Sequence, residues 1–471
     1  MKRLFLDVTL CAGYRGDHPV GIVRVEAEFI RFLDANYTYF REQGYDLHLC
    51  QVVGRNYCEI PPSQIFAHVR KLFQWADATP VAACATSITH DHSASPKTHP
   101  PLDQQLRNYI FMLSRKILRL LPAQKADDIR EGYYGLRLCL RAALRLIGLR
   151  TRSHTPAPTP DNVGKITHPF QDGDVLLVLG NPYTYHAQSI LPKVVTDMRL
   201  RQIFMLHDMI PLVRPDLTLP GLYAKYRDFT TYLAQATDVV ICVSGHTKSD
   251  FQRWCAAQNL TIKASVEHCI LGSEISTQDP IMPEIPDVDL TQDFVLCVGT
   301  LEVRKNHGWL LEIWTALQND ARAPLPLILA GTKGWLCDDF LIRLQQFDAA
   351  FPNLITHCID INDQELTWLY RNCRFGVYPS LYEGWGLPVQ ETLQYGKPVI
   401  ANAVSAIPEA GAGLATLVET GNLGQWVNAV QTHMFNDDFL AKKTAQISAQ
   451  HTPKRWDDWA RELWELLHRN M

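Results

Sequence analysis

From about residue 294 onward the chain repeats one pattern. Five short apolar runs, FVLCVG, LPLILAG, LITHCI, RFGVYPS and KPVIAN, are each separated by a helix-length amphipathic stretch. Such alternation predicts a parallel sheet with helices on both faces, because parallel neighbours need a crossover long enough to hold a helix. The N-terminal half repeats the theme less evenly, with RLFLDVT, DLHLCQVV, GDVLLVLG, QIFMLHD and DVVICVS. Two doubly wound α/β domains are expected, joined by the proline- and acid-rich PIMPEIPDVDLTQ at 280–292. The expected boundaries are 1–285, 286–452, and a final helix at 453–471 packing back on the N-terminal domain.

The N-terminal domain is interrupted at about 58–167. This insert contains THDHSASPKTHPP and SHTPAPTPDN, whose composition is that of mobile loop. Between them, residues 107–152 carry eleven basic residues against three acidic ones, a net of +8 hidden within an overall charge of -4. Arg137, Arg141 and Arg145 recur every four residues, with leucines at 136, 138, 140, 144, 146 and 149 over much of the remaining surface. Such a helix suits an anionic membrane face, and equally an insert packed on its own domain with its arginines in water.

Composition excludes several classes. At 46% apolar and 20% charged residues the chain is a soluble globular type, and its small net charge gives no argument for nucleic acid. The twelve cysteines include no CxxC pair and several lie in strand-like runs, so they are expected to be buried reduced thiols of a cytoplasmic protein. No closely spaced ligand pairs suggest a structural metal. Asp7 interrupts the first apolar run before it reaches signal-peptide length. No stretch approaches the roughly 18 apolar residues of a membrane span, so any membrane contact is expected from one side.

Two segments carry the chemistry. In SLYEGWGLPVQETLQYGKPVI (380–400), strand, loop and helix follow one another, with Pro388 as the expected first helical residue and Gly396 as the left-handed stop. The free N–H groups around Gly386 and Leu387, at the positive end of the helix dipole, suit a phosphate. Glu383 and Glu391 flank that site, and a carboxylate on each side can accept hydrogen bonds from a polyol. In FVLCVGTLEVRKNHGWLLEIW (294–314), Arg304 and Lys305 stand in the loop after a strand, with Asn306 as the expected N-cap. Two cations at the carboxyl end of a parallel strand suit a diphosphate. Either acid taken alone is better explained as a helix-end or exposed loop carboxylate, and a basic pair alone is commonly surface charge.

Together these segments resemble the E-x7-E and phosphate-binding segments of the retaining GT-B glycosyltransferases of the large family 4 type. HDMIPL (207–212), DVVICVSGHTKSDF (238–251) and DQELTWLYRNCRFGVYPS (363–380) are similar to that family in matching order. DVTLCAGYRGDHPVGIVRVEAEF resembles members acting in bacterial capsule, exopolysaccharide or O-antigen assembly. The resemblance covers both lobes and leaves the 58–167 insert and the C-terminal helices unmatched.

The resemblance implies a GT-B fold, two Rossmann-like doubly wound domains facing a central cleft. It implies a retaining hexosyltransferase using a nucleotide diphosphate sugar, with no metal and no further cofactor. By position, Glu383 would meet hydroxyls of the donor sugar, the Gly386 and Leu387 N–H groups the diphosphate, and Glu391 the ribose. Arg304 and Lys305 would neutralise the diphosphate, His207 would face the donor sugar from the N-terminal domain, and Gly21 would lie near the phosphates. Many relatives carry arginine where this chain has Thr300, so the load shifts to Arg304. Val303 replaces a frequent proline and Trp385 a frequent phenylalanine. GDP-mannose is the favoured donor, with UDP- or dTDP-sugars open.

The expected acceptor is a glycan, polyprenyl-diphosphate-linked, in bacterial surface polysaccharide assembly, with the enzyme peripheral on the inner face of the cytoplasmic membrane. A different class stays open: a glycosyltransferase-like binding or scaffold protein without turnover. A dinucleotide-dependent dehydrogenase is weaker, because GAGLAT (411–416) lacks the full GxGxxG pattern.

Overall fold

The structure is a computed structural model that describes residues 1–14, 21–73, 166–185, 187–195, 198–273, 279–285, 288–359 and 361–471. The basic, leucine-rich segment at 107–152 and the two loop-like tracts beside it lie outside the described residues.

Strands β1 (Lys2–Asp7), β2 (Tyr45–Val53), β3 (Asn56–Ile60), β4 (Val175–Val178), β5 (Arg201–Leu206), β6 (Val239–Cys242) and β7 (Ser265–His268) form one sheet, ordered β3-β2-β1-β4-β5-β6-β7. All neighbours are parallel except β3, which runs antiparallel to β2. Strands β8 (Val295–Val298), β9 (Leu327–Ala330), β10 (Ile355–Cys358), β11 (Phe375–Tyr378), β12 (Val399–Asn402) and β13 (Thr416–Val418) form a second, all-parallel sheet, ordered β10-β9-β8-β11-β12-β13. Each is the doubly wound order of a Rossmann-like domain, and each reverses direction once, at β1/β4 and at β8/β11. Three strands of the second sheet (β9, β11 and β12) and β4 of the first are buried at every residue, as strands covered on both faces must be.

Residues 58–72, expected to open the insert, belong instead to the N-terminal lobe. Val52 and Tyr57 are cross-strand partners in β2 and β3. The Pro62–Leu72 helix that follows buries Ile65, Phe66, Val69 and Leu72.

The last helix, Trp456–Asn470, buries Trp456, Trp459, Leu463 and Leu467 along one stripe. That stripe lies on the N-terminal lobe: Trp459 packs edge-on against Phe29 at 6.1 Å, Trp464 against Phe40 at 4.4 Å, and Tyr45 Oη bonds to His468 Nδ1 at 2.7 Å. Arg31 pairs with Asp457 at 2.8 Å. No described helix is long and apolar enough to cross a membrane.

Candidate active site

The reversal at β8/β11 explains why two segments almost eighty residues apart meet. Helices after β8 and β11 leave toward opposite faces, so the loops at these strand ends part and open a crevice. Arg304 and Lys305 follow β8 in a short 3-10 turn, and the loop after β11 carries Glu383. The loops are stitched directly: Leu381 N–H donates to the Arg304 carbonyl at 2.7 Å, and Asn306 Nδ2 to the Pro379 carbonyl at 3.3 Å. Asn306 does stand at the start of the His307–Leu317 helix, in a left-handed conformation with φ of 56°, but its side chain does not cap it. Its amide ties the two loops instead.

Glu383 is the centre of the resulting cluster. Its Oε1 accepts from Lys305 Nζ at 2.6 Å and its Oε2 from Arg304 Nη1 at 2.5 Å, while its own N–H donates to Ser405 Oγ at 2.8 Å. Arg304 Nε also donates to Glu302 at 2.7 Å. Burial alone would raise the pKa of Glu383, but the Arg304 and Lys305 charges outweigh it and hold the carboxyl down at about 2. The acid expected on the sugar and the cations expected on the diphosphate thus pair with one another.

Three residues beyond Glu383, Gly386 takes φ of 114° and begins the Leu387–Gln394 helix. Pro388 is at the second helical position, and no side chain caps the helix among the described residues. The N–H groups at 386 and 387 therefore remain as donors at the positive end of the helix. Glu391, one turn in, points toward the N-terminal lobe: its Oε1 accepts from Arg24 at 3.3 Å and its Oε2 from Tyr370 Oη at 2.8 Å. Burial raises its pKa, with Arg24 and the Tyr370 hydroxyl opposing. Gly21, with φ of 53°, begins the helix Gly21–Ala35 that presents Arg24.

His207 directly follows β5 and is buried. Its Nε2 bonds to the Leu179 carbonyl at 2.7 Å, which leaves the neutral ring protonated there. Burial, partly opposed by that bond, lowers its pKa to about 4. Its main chain touches the second lobe, because its carbonyl oxygen occupies the space a side chain on Gly384 would need.

The sequence segment around residue 244 was singled out without a role. The structure shows it gripping the other lobe. Ser244 Oγ and Thr247 Oγ1 donate to the Gly384 carbonyl at 2.8 and 3.2 Å. The N–H groups of Gly245 and His246, at the start of the Gly245–Ala257 helix, donate to the two Glu409 oxygens at 2.9 and 2.7 Å. Tyr382 Oη donates to Asp250 and lies 3.2 Å from His246 Nε2. Arg24, Glu409 and Tyr382 escaped sequence reasoning, since each matters only once two lobes meet.

Comparison with known proteins agrees with this geometry. Residues 292–436 match the family Glycosyl transferases group 1. The C-terminal lobe is a group 1 glycosyl transferase domain. The Escherichia coli O-antigen chain mannosyltransferase B is 35% identical over 171 residues, covering 36% of this chain and 43% of that protein. The Escherichia coli serotype-specific mannosyltransferase WbdA is 27% identical over 316 residues, 64% of this chain and 37% of its own length. The chain thus spans less than half the length of these relatives.

The two described lobes together have the GT-B fold. Sucrose-phosphate synthase from Thermosynechococcus elongatus superposes with a TM-score of 0.57 at 14% identity, covering 100% of this chain and 99% of that one. Anabaena HepE in complex with UDP and glucose gives 0.55 at 13% identity, with full coverage of both. Within the group 1 domain fall Arg304, Lys305, Glu383, Gly386, Leu387 and Glu391, while Gly21 and His207 belong to the facing lobe.

Proposed function

We propose that this protein transfers a hexose, mannose above others, from a nucleoside diphosphate sugar to a glycan acceptor, with retention of anomeric configuration. The observation that carries the proposal is the convergence of Arg304 and Lys305 on Glu383 beside the uncapped start of the Leu387–Gln394 helix. A departing nucleoside diphosphate gains negative charge as the anomeric bond breaks. Fixed donors and cations aimed at that charge stabilise the transition state more than the ground state.

Arg304, Lys305 and the N–H groups at 386 and 387 supply this, so the proposed reaction needs no metal. Glu383, released from its cations when the diphosphate takes them, accepts hydroxyls of the donor sugar, and Glu391 those of the ribose. His207 contributes a neutral imidazole at the facing lobe. Retention follows from attack on the face the leaving phosphate vacates, with that phosphate taking the acceptor's proton, rather than from a carboxylate nucleophile.

Mannose is favoured by the mannosyltransferase relatives, with GDP its expected carrier and UDP or dTDP open. The acceptor in this reading is a polyprenyl-diphosphate-linked glycan of bacterial surface polysaccharide, met at the inner membrane face by the basic segment at 107–152. Full-length protein should bind anionic liposomes, and a variant lacking 107–152 should not. Thermal-shift scans test the donor class: stabilisation by GDP or UDP supports transfer, and stabilisation by NAD alone overturns it.

A further inference from the structure

Arg24 reaches across the lobe interface to the carboxylate that the nucleotide-sugar reading assigns to the ribose. It belongs to the Gly21–Ala35 helix of the N-terminal lobe, whereas Glu391 belongs to the group 1 domain, and their side chains meet at 3.3 Å. The guanidinium is held on its own side by Glu28 at 3.6 Å and by the face of Trp456, 5.5 Å from the ring centre. Trp456 opens the C-terminal helix, which also packs on the N-terminal lobe. Arg24 is therefore aimed by one lobe at the functional acid of the other.

We propose that Arg24 is a positioning residue for the ribose end of the donor site, orienting the Glu391 carboxylate so that a ribose diol is read only when the lobes are closed. The inference rests on the nucleotide-sugar reading above and extends it to a residue in the facing lobe.

Glu391 needs such a partner. A buried carboxylate tends to take a proton, and a carboxylic acid accepts hydroxyl hydrogen bonds less well than a carboxylate. The groups facing it are Arg24, Tyr370 and Asp363 from the Asp363–Asn372 helix, and Lys305 from the loop after β8. Arg24 heads those that favour the charged form, and Asp363 opposes it. Tyr370 is stacked on Tyr395 at 5.0 Å and fixes Oε2 from within the domain. Arg24 reaches Oε1 from across the interface.

The test titrates the full-length protein with GDP, UDP and their 2′,3′-dideoxy counterparts between pH 6 and 8.5. The wild type should prefer the ribose forms about tenfold or more, the worth of a charge-assisted hydrogen bond. Arg24→Gln should lose most of that preference while binding the dideoxy forms as the wild type does. Its residual preference should grow with pH, as Glu391 without its cation ionises later. Arg24→Lys should restore part of it. An unchanged ribose preference in Arg24→Gln, an equal loss for ribose and dideoxy forms, or tighter ribonucleotide binding would overturn the inference. A wild type that binds none of these nucleotides would instead remove the donor reading itself.

Discussion

A Cβ on Gly384 would stand 2.0 Å from the carbonyl oxygen of His207, and 2.9 Å from Cβ of Asp208. The loop carrying Glu383 therefore comes against the end of β5 closely enough that only glycine fits. Ser244 and Thr247 then donate to the carbonyl of the same residue.

Gly384→Ala should hold the lobes apart rather than unfold them, since opening relieves the clash without disturbing either core. We expect transfer activity to fall at least about a hundredfold, as catalytic groups misplaced by an ångström typically do, with a loss of no more than a few degrees in Tm. Activity assays beside small-angle scattering check this. Full activity in the alanine variant would mean that catalysis does not use this closed arrangement.

Glu409 contributes to the same closure by a different device. Its carboxylate meets the two leading N–H groups of the Gly245–Ala257 helix, where charge and helix dipole are complementary. Glu409→Ala should raise the donor KM roughly tenfold, in line with the ~1.5–3 kcal/mol of a hydrogen bond to a charged group. Glu409→Gln, keeping one acceptor, should fall between. An unchanged KM with a lowered kcat would assign Glu409 to the chemistry rather than to closure.

Glu26 gives a pH dependence of stability. It is fully buried, accepts from the Cys11 N–H at 2.8 Å with one oxygen, and has no hydrogen-bond partner for the other among the described residues. Burial, and then the nearby Asp7 charge, push its pKa from 4.5 to about 8. Asp7 itself is raised to about 6 by burial, against hydrogen bonds from Thr9, Tyr185 and Tyr57. A carboxyl whose folded pKa lies above its unfolded value binds a proton more tightly in the folded state. Its contribution is thus greatest below pH 4.5 and is lost as pH rises to about 8. Glu26→Gln, which keeps the acceptor for Cys11, should raise Tm by several degrees at pH 8 relative to the wild type, with the gain vanishing toward pH 4.5. An equal gain at both pH values would contradict the shift.

Much of this architecture was legible because buried parallel strands are nearly continuous apolar runs. FVLCVG and LPLILAG announce β8 and β9, and β1, β2, β4, β5 and β6 are visible in the same way. Of the four edge strands, β10 was visible as LITHCI, and the other three were not. β3 reads NYCEI and is only partly buried, β7 reads SVEH and has no fully buried residue, and β13 has three residues. Being half covered, such strands carry little periodic signal. Within the site, Arg304, Lys305, Glu383 and Glu391 were visible because strand, loop and helix each leave a local mark. Arg24 and Glu409 left none: their partners are 367 and 163 residues away and meet them only through the packing of two lobes.

In the proposed reaction Glu383, with Arg304 and Lys305, forms the donor site. A panel of GDP-, UDP- and dTDP-sugars offered to the wild type and to Glu383→Gln, reading release of nucleoside diphosphate, tests it most directly. The account predicts that the wild type consumes a nucleotide sugar, GDP-mannose before the others, and that Glu383→Gln does so at least about a hundredfold more slowly while keeping its thermal stability within a few degrees. Turnover by Glu383→Gln equal to that of the wild type, or no turnover of any nucleotide sugar by the wild type, would contradict it.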